Sequence, residues 1–418
     1  MNDEYKPLTL ESLPKRLGVV SAITDQIGAE TRNWEVKEVG DGNLNLVFIV
    51  TGRKGIIVIK QALPYVRVVG ESWPLTLDRA YFEYNALLRQ EQRDEGIVPA
   101  VFYFDKAQAI IAMECLSGHK ILRGMLIEGL IVQGLADTIG KHCARLAFRG
   151  SDLSMETKDK KEDVCLFQKN YELMGITENL VFTDPYFKAE MNSHTEGLDE
   201  TIQVLRDDTI MKSRVQDMLR KFTSNAETMC HGDLHSGSIM CTDSKTRIID
   251  PEFAFYGPMG FDLGMNIANF LMAYFSQPAH RENALEATTY QSWIIQIIED
   301  TVYAFNQEFN KLWNTERKGI LYPKSLFEDQ GQSSEHALKS VLKDIWRDAV
   351  SVCGIEMHRR CLSLAHNADF ESIENISLRA TLEARNLLMG RELILNNNSI
   401  QSVGELSSMA LEFNKKDI

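Results

Sequence analysis

The sequence predicts an α+β protein with a small N-terminal antiparallel β-sheet that carries a helix, followed by a larger, mainly helical part. Short β-rich runs separated by turns occupy residues 34–70 and 98–115. After about residue 120 the apolar residues follow helical spacing instead. A chain of 418 residues is long enough for two or three domains. We therefore expect a first region, 1–116, that ends in a hinge, and a second region, 117–418.

The strands of the first region are predicted from apolar, β-branched runs. The runs are NLNLVFIV (43–50), IIVIK (56–60), VRVVG (66–70), VPAVFYF (98–104) and AIIAMEC (109–115). Glycine and charged residues at 51–55 favour a hairpin turn between the first two runs. The first three runs together predict an antiparallel meander of short strands joined by hairpins.

One helix is predicted inside the first region, from about residue 77 to 92. Its apolar face, at three- and four-residue spacing, is Ala80, Tyr84, Leu87 and Leu88. Glu83 lies on the same face, where a carboxylate is costly unless it is paired. Lys60, which ends the IIVIK strand, is the partner that we predict. The alternative is that Lys60 is an exposed lysine at a strand end.

Two segments of the second region have unusual compositions. Residues 263–279 carry no charge, but they contain Asn and Gln and fall just short of the ~18 residues that a membrane span needs. We expect a buried helix there. The charged stretch 151–163 has no apolar period and is expected to be a solvated loop.

The charge balance excludes some classes of partner. Lys and Arg number 45 against 59 Asp and Glu, for a net charge of -14, which repels nucleic-acid backbones and anionic membranes. The seven cysteines are scattered without a C-x-x-C pair, so neither a disulfide framework nor a zinc ribbon is expected. The start, MNDEYKPL, lacks the features of a signal peptide. A cytoplasmic protein with reduced thiols is the expectation.

The most informative segments are HGDLHSGSIM at 231–240 and RIIDPEF at 247–253. They place Asp233 in a loop after a strand-like run, and Asp250 with Glu252 at the end of another. Phosphoryl transfer needs one carboxylate that orients the attacking hydroxyl and accepts its proton, and others that hold Mg²⁺. Oxygen ligands suit this hard ion.

Two alternatives compete for the first of these segments. His231 and His235 are four residues apart, as in a helical zinc pair, but Gly232 disfavours a helix and H-E-x-x-H is absent. Asp233 alone would be an ordinary turn-capping residue. The downstream D-P-E makes the catalytic interpretation preferable.

A glycine turn precedes the first strand. In VGDGNLNLVF at 39–48, Gly40 and Gly42 would let backbone amides approach a phosphate. Taken alone, the same residues form an ordinary hairpin turn.

At this point the chain resembles a known family. H-G-D-L-H at 231–235 with I-D-P-E at 249–252 resembles the small-molecule kinases related to aminoglycoside phosphotransferases and choline kinase, which share a bilobal protein-kinase-like fold. Three longer matches are similar to the 5-methylthioribose kinases of methionine salvage, and the similarity as a whole extends from about Gly40 to Asp369. They are DPEFAFYGPMGFDLG (250–264), WPLTLDRA (73–80) and EMHRR (356–360).

The resemblance implies an activity. It implies an ATP- and Mg²⁺-dependent kinase that phosphorylates the 1-hydroxyl of 5-methylthioribose, acting as a homodimer. The alternative acceptor is another small alcohol, an aminoglycoside, choline or homoserine, and the acidic balance suits a cationic one. An inactive nucleotide-binding module is the alternative from a different class, but it has no need of a proton acceptor.

The resemblance also implies roles for individual residues. Asp233 would be the catalytic carboxylate, beside the sugar's anomeric hydroxyl, and Asp250 and Glu252 would hold magnesium. Asp262 would brace the catalytic loop. The nucleotide contacts implied are Asn43, Lys60, the hinge residues Glu114, Cys115 and Leu116, and the segment Asp250, Pro251 and Glu252.

Substrate contacts are implied for Arg359, Arg360 and Trp73. The helical pattern adds that Arg360 lies on or beside an apolar face and needs a phosphate or an acidic partner. That face is Val350, Cys353, Gly354, Met357, Cys361 and Leu364. Trp73 would cover the methylthio tail or merely anchor a turn. Ser238 stands where the wider fold carries a second metal-ligating Asn, which leaves a second metal site open.

Overall fold

The computed structural model describes residues 5–40, 44–66 and 70–416. The chain divides into two compact units. Unit 1 comprises Met1–His119, Asn170–Leu173 and Arg247–Ala254, and unit 2 comprises Lys120–Lys169, Met174–Thr246 and Phe255–Ile418. The two short segments of unit 1 lie in the second region of the predicted division at 116/117. The assignment of nucleotide binding to 1–116 and of catalysis to 117–418 stays a prediction.

Unit 1 contains a five-stranded sheet. Its elements are α1 (Ser12–Leu17), α2 (Ser21–Ile27), β1 (Glu35–Val39), β2 (Asn45–Thr51), β3 (Ile56–Ala62), β4 (Tyr65–Val66), β5 (Gly70–Pro74), α3 (Arg79–Arg93), β6 (Val101–Asp105) and β7 (Ile110–Glu114). The sheet order is β1-β2-β3-β7-β6, with every neighbouring pair antiparallel, and β4 and β5 form a separate hairpin. The predicted runs 43–50, 56–60, 98–104 and 109–115 overlap β2, β3, β6 and β7. The run VRVVG is wrong as a third strand of the meander, because Val66 ends β4, Gly70 begins β5, and β3 pairs with β7 instead. Residues 67–69 of this run lie outside the described residues.

The two faces of the sheet have different neighbours. Ile57 and Ile59 of β3 belong to a buried core with α1 and α2. Because side chains alternate along a strand, Lys60 and Ala62 lie on the opposite face, where Ala62 packs with Ala80 of α3. The alternation therefore directs Lys60 towards α3.

The buried face of α3 differs from the predicted one. Leu88 is 42% exposed, so its place on the apolar face is wrong. The buried positions include the charged residues Arg79 and Glu83. Counting apolar residues misses this face because several of its members are charged or polar.

Unit 2 is mainly helical. Its elements are β8 (Lys120–Ile121), α4 (Leu122–Glu128), α5 (Leu135–Arg149), α6 (Thr157–Phe167), α8 (Asp199–Asp207), α9 (Thr209–Ser224), β9 (Thr228–Cys230), β10 (Ile239–Cys241), β12 (Phe255–Gly257), α10 (Phe261–His280), α11 (Ala284–Thr315), α12 (Glu335–Leu362), α13 (Ala368–Glu371), α14 (Ile376–Asn396) and α15 (Val403–Asn414). Two further elements, α7 (Tyr171–Leu180) and β11 (Thr246–Ile248), contain residues of both units. The predicted fold class, a small antiparallel sheet region followed by a larger helical part, is confirmed.

Two segment predictions of unit 2 have different outcomes. Helix α10 is buried from Phe261 to Gln277, as expected for the uncharged segment. None of the helices in the described part of the chain combines the length and hydropathy needed to cross a membrane. The loop predicted at 151–163 is wrong from Thr157 onwards, where α6 begins. Lys160 of α6 is buried and donates to the carbonyls of Ala226 and Glu227 at 2.6 and 2.9 Å, so a charged residue fills an inward position.

Candidate active site

The first candidate cluster, in unit 1, is centred on Lys60. Its Nζ lies 2.8 Å from the Glu83 carboxylate and also pairs with Oδ1 of Asp250. The predicted pair of Lys60 and Glu83 is therefore confirmed, and the alternative of an exposed lysine is wrong. Burial alone would lower the pKa of Lys60, but the charges of Asp250 and Glu83 outweigh it and raise that pKa. Lys60 is thus a fixed cation.

Glu252 is held by two residues that the sequence did not single out. Asn45 Nδ2 donates to Glu252 Oε2 at 3.0 Å, and Arg79 Nε lies 3.6 Å from the same oxygen. Arg79 Nη2 also donates to Asn45 Oδ1 at 3.0 Å. Burial raises the pKa of Glu252, whereas the positive charges of Lys60 and Arg79 oppose the rise. The carboxylate is therefore buried among donors.

The D-P-E segment has an unusual backbone. Asp250 has φ 67° and ψ 47°, the left-handed region, which Asp tolerates better than most residues. Pro251 then begins a short 3₁₀ turn, Pro251–Phe253. Asn170 Nδ2 donates to the carbonyls of Glu252 and Ala254 at 2.9 and 3.0 Å. These contacts hold Asp250 and Glu252 on one tight turn.

The carboxylates of this turn fit a divalent cation. Glu83, Asp250 and Glu252 each offer an oxygen, and the three oxygens lie within 4.8 Å of one another. Counted as formal charges, three carboxylates face two cationic side chains, Lys60 and Arg79, which is an excess of one negative charge. Hard oxygen donors and a net negative charge suit Mg²⁺. Lys60 pairs with both Glu83 and Asp250, so the choice of Asp250 and Glu252 as the ligands stays a prediction.

The predicted hinge residues follow β7. The Glu114 side chain accepts from Arg247 Nη2 at 2.6 Å and from the Ala100 amide at 3.1 Å, so its carboxylate anchors the segment. The carbonyls of Cys115 and Leu116 accept from the amides of Ser117 and His119 at 2.8 and 3.1 Å. Their contact with an adenine stays a prediction.

Two other contacts predicted in unit 1 are those of Asn43 and Trp73. Asn43 lies outside the described residues, and so does Gly42 of the glycine turn. Trp73 is half-buried in β5. Two residues beyond Pro74, the Thr76 amide donates to Glu172 at 2.6 Å, which anchors the chain after the hairpin. The role of Trp73 stays a prediction.

The second candidate cluster, in unit 2, surrounds Asp233. Arg360 Nη2 lies 3.0 Å from Oδ1 of Asp233, and His235 Nε2 lies 3.2 Å from Oδ2. The Gly237 amide donates to His235 Nδ1 at 2.9 Å, so the proton of a neutral His235 is on Nε2 and points to Asp233. A Cβ at position 237 would lie 2.6 Å from His235 Cε1, which only glycine avoids.

These contacts keep Asp233 ionised. Burial alone would raise the pKa of Asp233, but His235 and Arg360 outweigh it and hold that pKa well below its usual range. Burial also lowers the pKa of His235 to about 4. Since His235 is neutral at pH 7, it acts as a hydrogen-bond donor and Arg360 supplies the positive charge. Asp233 is therefore a fixed, weakly basic carboxylate.

Two side chains hold the backbone of the loop that carries Asp233. Asp262 accepts from the amides of His231 and Gly232 at 2.7 and 3.1 Å, which confirms its predicted bracing role. Ser238 Oγ donates to the Asp233 carbonyl at 2.9 Å. Gly232 has φ 88°, a conformation that favours glycine. The loop geometry thus depends on backbone contacts as well as on Asp233 itself.

The two arginines of α12 differ in how closely they are paired. Arg360 is buried and binds Glu356 Oε1 at 2.5 Å as well as Asp233. Of the two partners predicted for it, a phosphate or an acidic residue, the structure therefore shows the acidic one. Arg359 approaches Glu356 only to 3.9 Å. Among the described residues its Nε and Nη1 have no hydrogen-bond partner. Burial and the charge of Arg360 lower the pKa of Arg359 to about 10.

A third arginine completes the charge balance. Arg123 Nε donates to Ser236 Oγ at 3.1 Å and lies 3.6 Å from the Asp369 carboxylate. Burial raises the pKa of Asp369 to about 6, although the charge of Arg123 opposes it. Three arginines (Arg123, Arg359, Arg360) therefore share the cluster with three carboxylates (Asp233, Glu356, Asp369).

Comparison with known proteins assigns the family. The model of a phosphotransferase enzyme family matches residues 35–293. A methylthioribose kinase of Escherichia coli O45:K1 is 41% identical over 409 residues, covering 97% of both chains. The chain belongs to the methylthioribose kinase family. Methylthioribose kinase 1 of Oryza sativa subsp. japonica is 38% identical, covering 96% of this chain and 94% of its own. A methylthioribose kinase of Geobacillus sp. strain WCH70 is 39% identical over 97% and 96%.

Solved structures that are similar to this member of the methylthioribose kinase family are more distant. A glucosamine kinase in complex with glucosamine, ADP and inorganic phosphate is 14% identical, with a TM-score of 0.49 over 91% of this chain and 86% of that one. A Plasmodium vivax ethanolamine kinase is 13% identical, with a TM-score of 0.47 over 92% and 89%.

Sequence reasoning missed several members of the two clusters. Arg79 gave a signal, because it lies four residues before Glu83 and so shares its helix face. Asn45, Arg123 and Asp369 gave none: each is a single polar residue whose partners are distant along the chain. The zinc alternative finds no support among the described residues, where the only carboxylate, His or Cys group with suitable geometry is the one in unit 1.

Proposed function

We propose that the protein transfers the γ-phosphoryl group of ATP to the 1-hydroxyl of 5-methylthioribose, giving ADP and 5-methylthioribose 1-phosphate in methionine salvage. The observation that carries the proposal is an identity of 36–41% to methylthioribose kinases over nearly the whole chain. The two clusters supply the charged groups that this chemistry needs.

Asp233 orients the attacking hydroxyl. A bond forms between the sugar oxygen and the γ-phosphorus, and the bond from that phosphorus to the β,γ-bridging oxygen breaks, so ADP leaves with the electron pair. The hydroxyl proton passes to Asp233. Because phosphoryl transfer has a loose transition state, the hydroxyl becomes acidic only late in the step, and a weakly basic carboxylate suffices. The contacts with Arg360 and His235 hold the carboxylate in place.

Lys60 contacts the phosphates, and Glu83 keeps its ammonium in position, as in kinase-like proteins. Asp250 and Glu252 would hold Mg²⁺, which supplies positive charge to the phosphate oxygens when it is bound. Asn43 and the backbone of Glu114, Cys115 and Leu116 complete the nucleotide contacts. Pro251 keeps the D-P-E turn tight.

Arg359, Arg360 and Trp73 contact the sugar in this proposal. The unpaired Nε and Nη1 of Arg359, among the described residues, are donors suited to hydroxyl or phosphate oxygens. The Arg360 contacts with Asp233 and Glu356 favour a positioning role for that residue. The sequence supports a cytoplasmic location and the family resemblance supports a homodimer, which sedimentation equilibrium tests.

A coupled ADP-release assay tests the function. The acceptors are 5-methylthioribose, ribose, choline, an aminoglycoside and homoserine, each with Mg-ATP. The proposal predicts the highest kcat/KM for 5-methylthioribose, with ribose weaker because it lacks the methylthio group. A higher kcat/KM for choline, the aminoglycoside or homoserine would replace the proposed acceptor. ADP release that is independent of all acceptors would refute a kinase of small alcohols.

A further inference from the structure

Arg79 makes an unusual set of contacts for a buried arginine. Its side chain is 1% exposed. Nη1 donates to the Leu63 carbonyl at 2.7 Å, and Nη2 donates to the Leu44 carbonyl and to Asn45 Oδ1. Its Nε lies 3.6 Å from Glu252 Oε2. One guanidinium therefore contacts three separate segments of unit 1.

Each of these segments has a proposed role in nucleotide binding. Leu44 directly follows residues 41–43 of the glycine turn, and Leu63 follows the end of β3, three residues after Lys60. Glu252 is a proposed metal ligand. A rigid fork of donors suits such a junction, because each N–H of a guanidinium has a fixed direction.

One hydrogen bond and one ion pair converge on a single oxygen of Glu252. Asn45 Nδ2 donates to Oε2, and Arg79 approaches the same oxygen while also donating to Asn45 Oδ1. Arg79, Asn45 and Glu252 thus form a closed triangle. We propose that Arg79 is a positioning residue that fixes the Glu252 carboxylate by Oε2, so that Oε1 is presented to the divalent cation. This inference rests on the proposed function only for the identity of the cation site.

Groups that orient metal-ligating carboxylates change metal affinity by about 10–100-fold when they are removed. Arg79→Lys keeps the positive charge but loses the planar fork, so it tests orientation rather than charge. The matched control is Arg93→Lys, because Arg93 is also buried and ends the same helix, about 21 Å further along its axis.

The probe is Mn²⁺, followed by electron paramagnetic resonance in the presence of ADP. Arg79→Lys is expected to weaken Mn²⁺ binding by about 10–100-fold, with Arg93→Lys equal to the wild type. Raising the free Mg²⁺ concentration should restore the turnover of Arg79→Lys, which a purely structural defect would not allow. Wild-type Mn²⁺ affinity in Arg79→Lys, or a loss of kcat that Mg²⁺ does not restore, would overturn the inference.

A second variant covers the case in which Arg79→Lys does not fold. Asn45→Ala removes the donor to Glu252 and the acceptor of Arg79 Nη2, and it should weaken Mn²⁺ binding in the same direction. Unchanged Mn²⁺ affinity in Asn45→Ala would then count against the inference. The measurement uses no sugar, so a wild type that binds Mn²⁺ with ADP but phosphorylates no acceptor would refute the proposed function and leave the role of Arg79 standing.

Discussion

Replacing Asp233 with Asn perturbs the centre of the unit 2 cluster with almost no change in shape. The carboxylate presents a different oxygen to each of two donors, Oδ1 to Arg360 at 3.0 Å and Oδ2 to His235 at 3.2 Å. An amide has only one oxygen. His235 cannot move its proton to Nδ1 without losing the bond from the Gly237 amide. One donor therefore faces the amide nitrogen of the variant.

The size of the effect follows from these contacts. Loss of a general base reduces kcat by about 10²–10⁴-fold. An unmatched buried donor lowers the free energy of unfolding by about 1–3 kcal/mol. Binding of Mg-ATP is expected to stay near that of the wild type, because the proposed nucleotide ligands Lys60, Asp250 and Glu252 belong to unit 1.

Three measurements on Asp233→Asn check this reasoning: ADP release with 5-methylthioribose, calorimetric titration with Mg-ATP, and urea denaturation. The control is Asp243→Asn, an exposed aspartate in a bend ten residues later, which should match the wild type in all three. Turnover within threefold of the wild type in Asp233→Asn would refute a catalytic role for this carboxylate. Lost turnover together with lost nucleotide binding would show that the reasoning about separate ligands is wrong.

Three further predictions concern other charged groups. Lys60→Met leaves Glu83 buried without its cation. The free energy of unfolding, measured by urea denaturation, should therefore fall by about 3–5 kcal/mol, and ADP release should be lost. Unchanged stability would contradict the conclusion that Lys60 is a fixed cation. Arg247→Lys loses the fork that holds Glu114, so the KM for ATP should rise about 3- to 10-fold at constant kcat, and a change in kcat alone would contradict an anchoring role. The pKa of Asp369 is raised from 3.8 to about 6, so its stabilising effect is full below the unfolded-state pKa and is lost as pH rises through 6. In Asp369→Asn the unfolding free energy at pH 4 minus that at pH 7 should therefore be about 2 kcal/mol lower than in the wild type, and an unchanged value would contradict this.

Some contacts could be predicted from the sequence because of their physical cost. Glu83 sits among apolar positions of a helix, and a buried carboxylate requires a cation, so Lys60 could be named as its partner. The same argument required an acidic partner or a phosphate for Arg360, and the structure supplies Glu356 and Asp233. A local pattern therefore predicts that a buried charge needs a partner. For Glu83 it also predicted which residue that partner is.

Other contacts could not be predicted because their partners are distant in sequence. Asn45 and Glu252 are 207 residues apart, and Arg360 and Asp233 are 127 apart. No periodicity indicates that Arg247–Ala254 lies in unit 1. Helix α6 was missed because its buried Lys160 satisfies backbone carbonyls, and apolar spacing cannot reveal a position filled by a charge.

The most direct test of the central claim follows the phosphorus atom. Phosphorus-31 NMR of the enzyme with Mg-ATP and 5-methylthioribose should show one new phosphate ester for each ADP formed, with its phosphorus coupled to the single proton on carbon 1 of the sugar. Inorganic phosphate as the only new signal besides those of ADP, or an ester coupled to a proton on another carbon, would contradict transfer to the 1-hydroxyl.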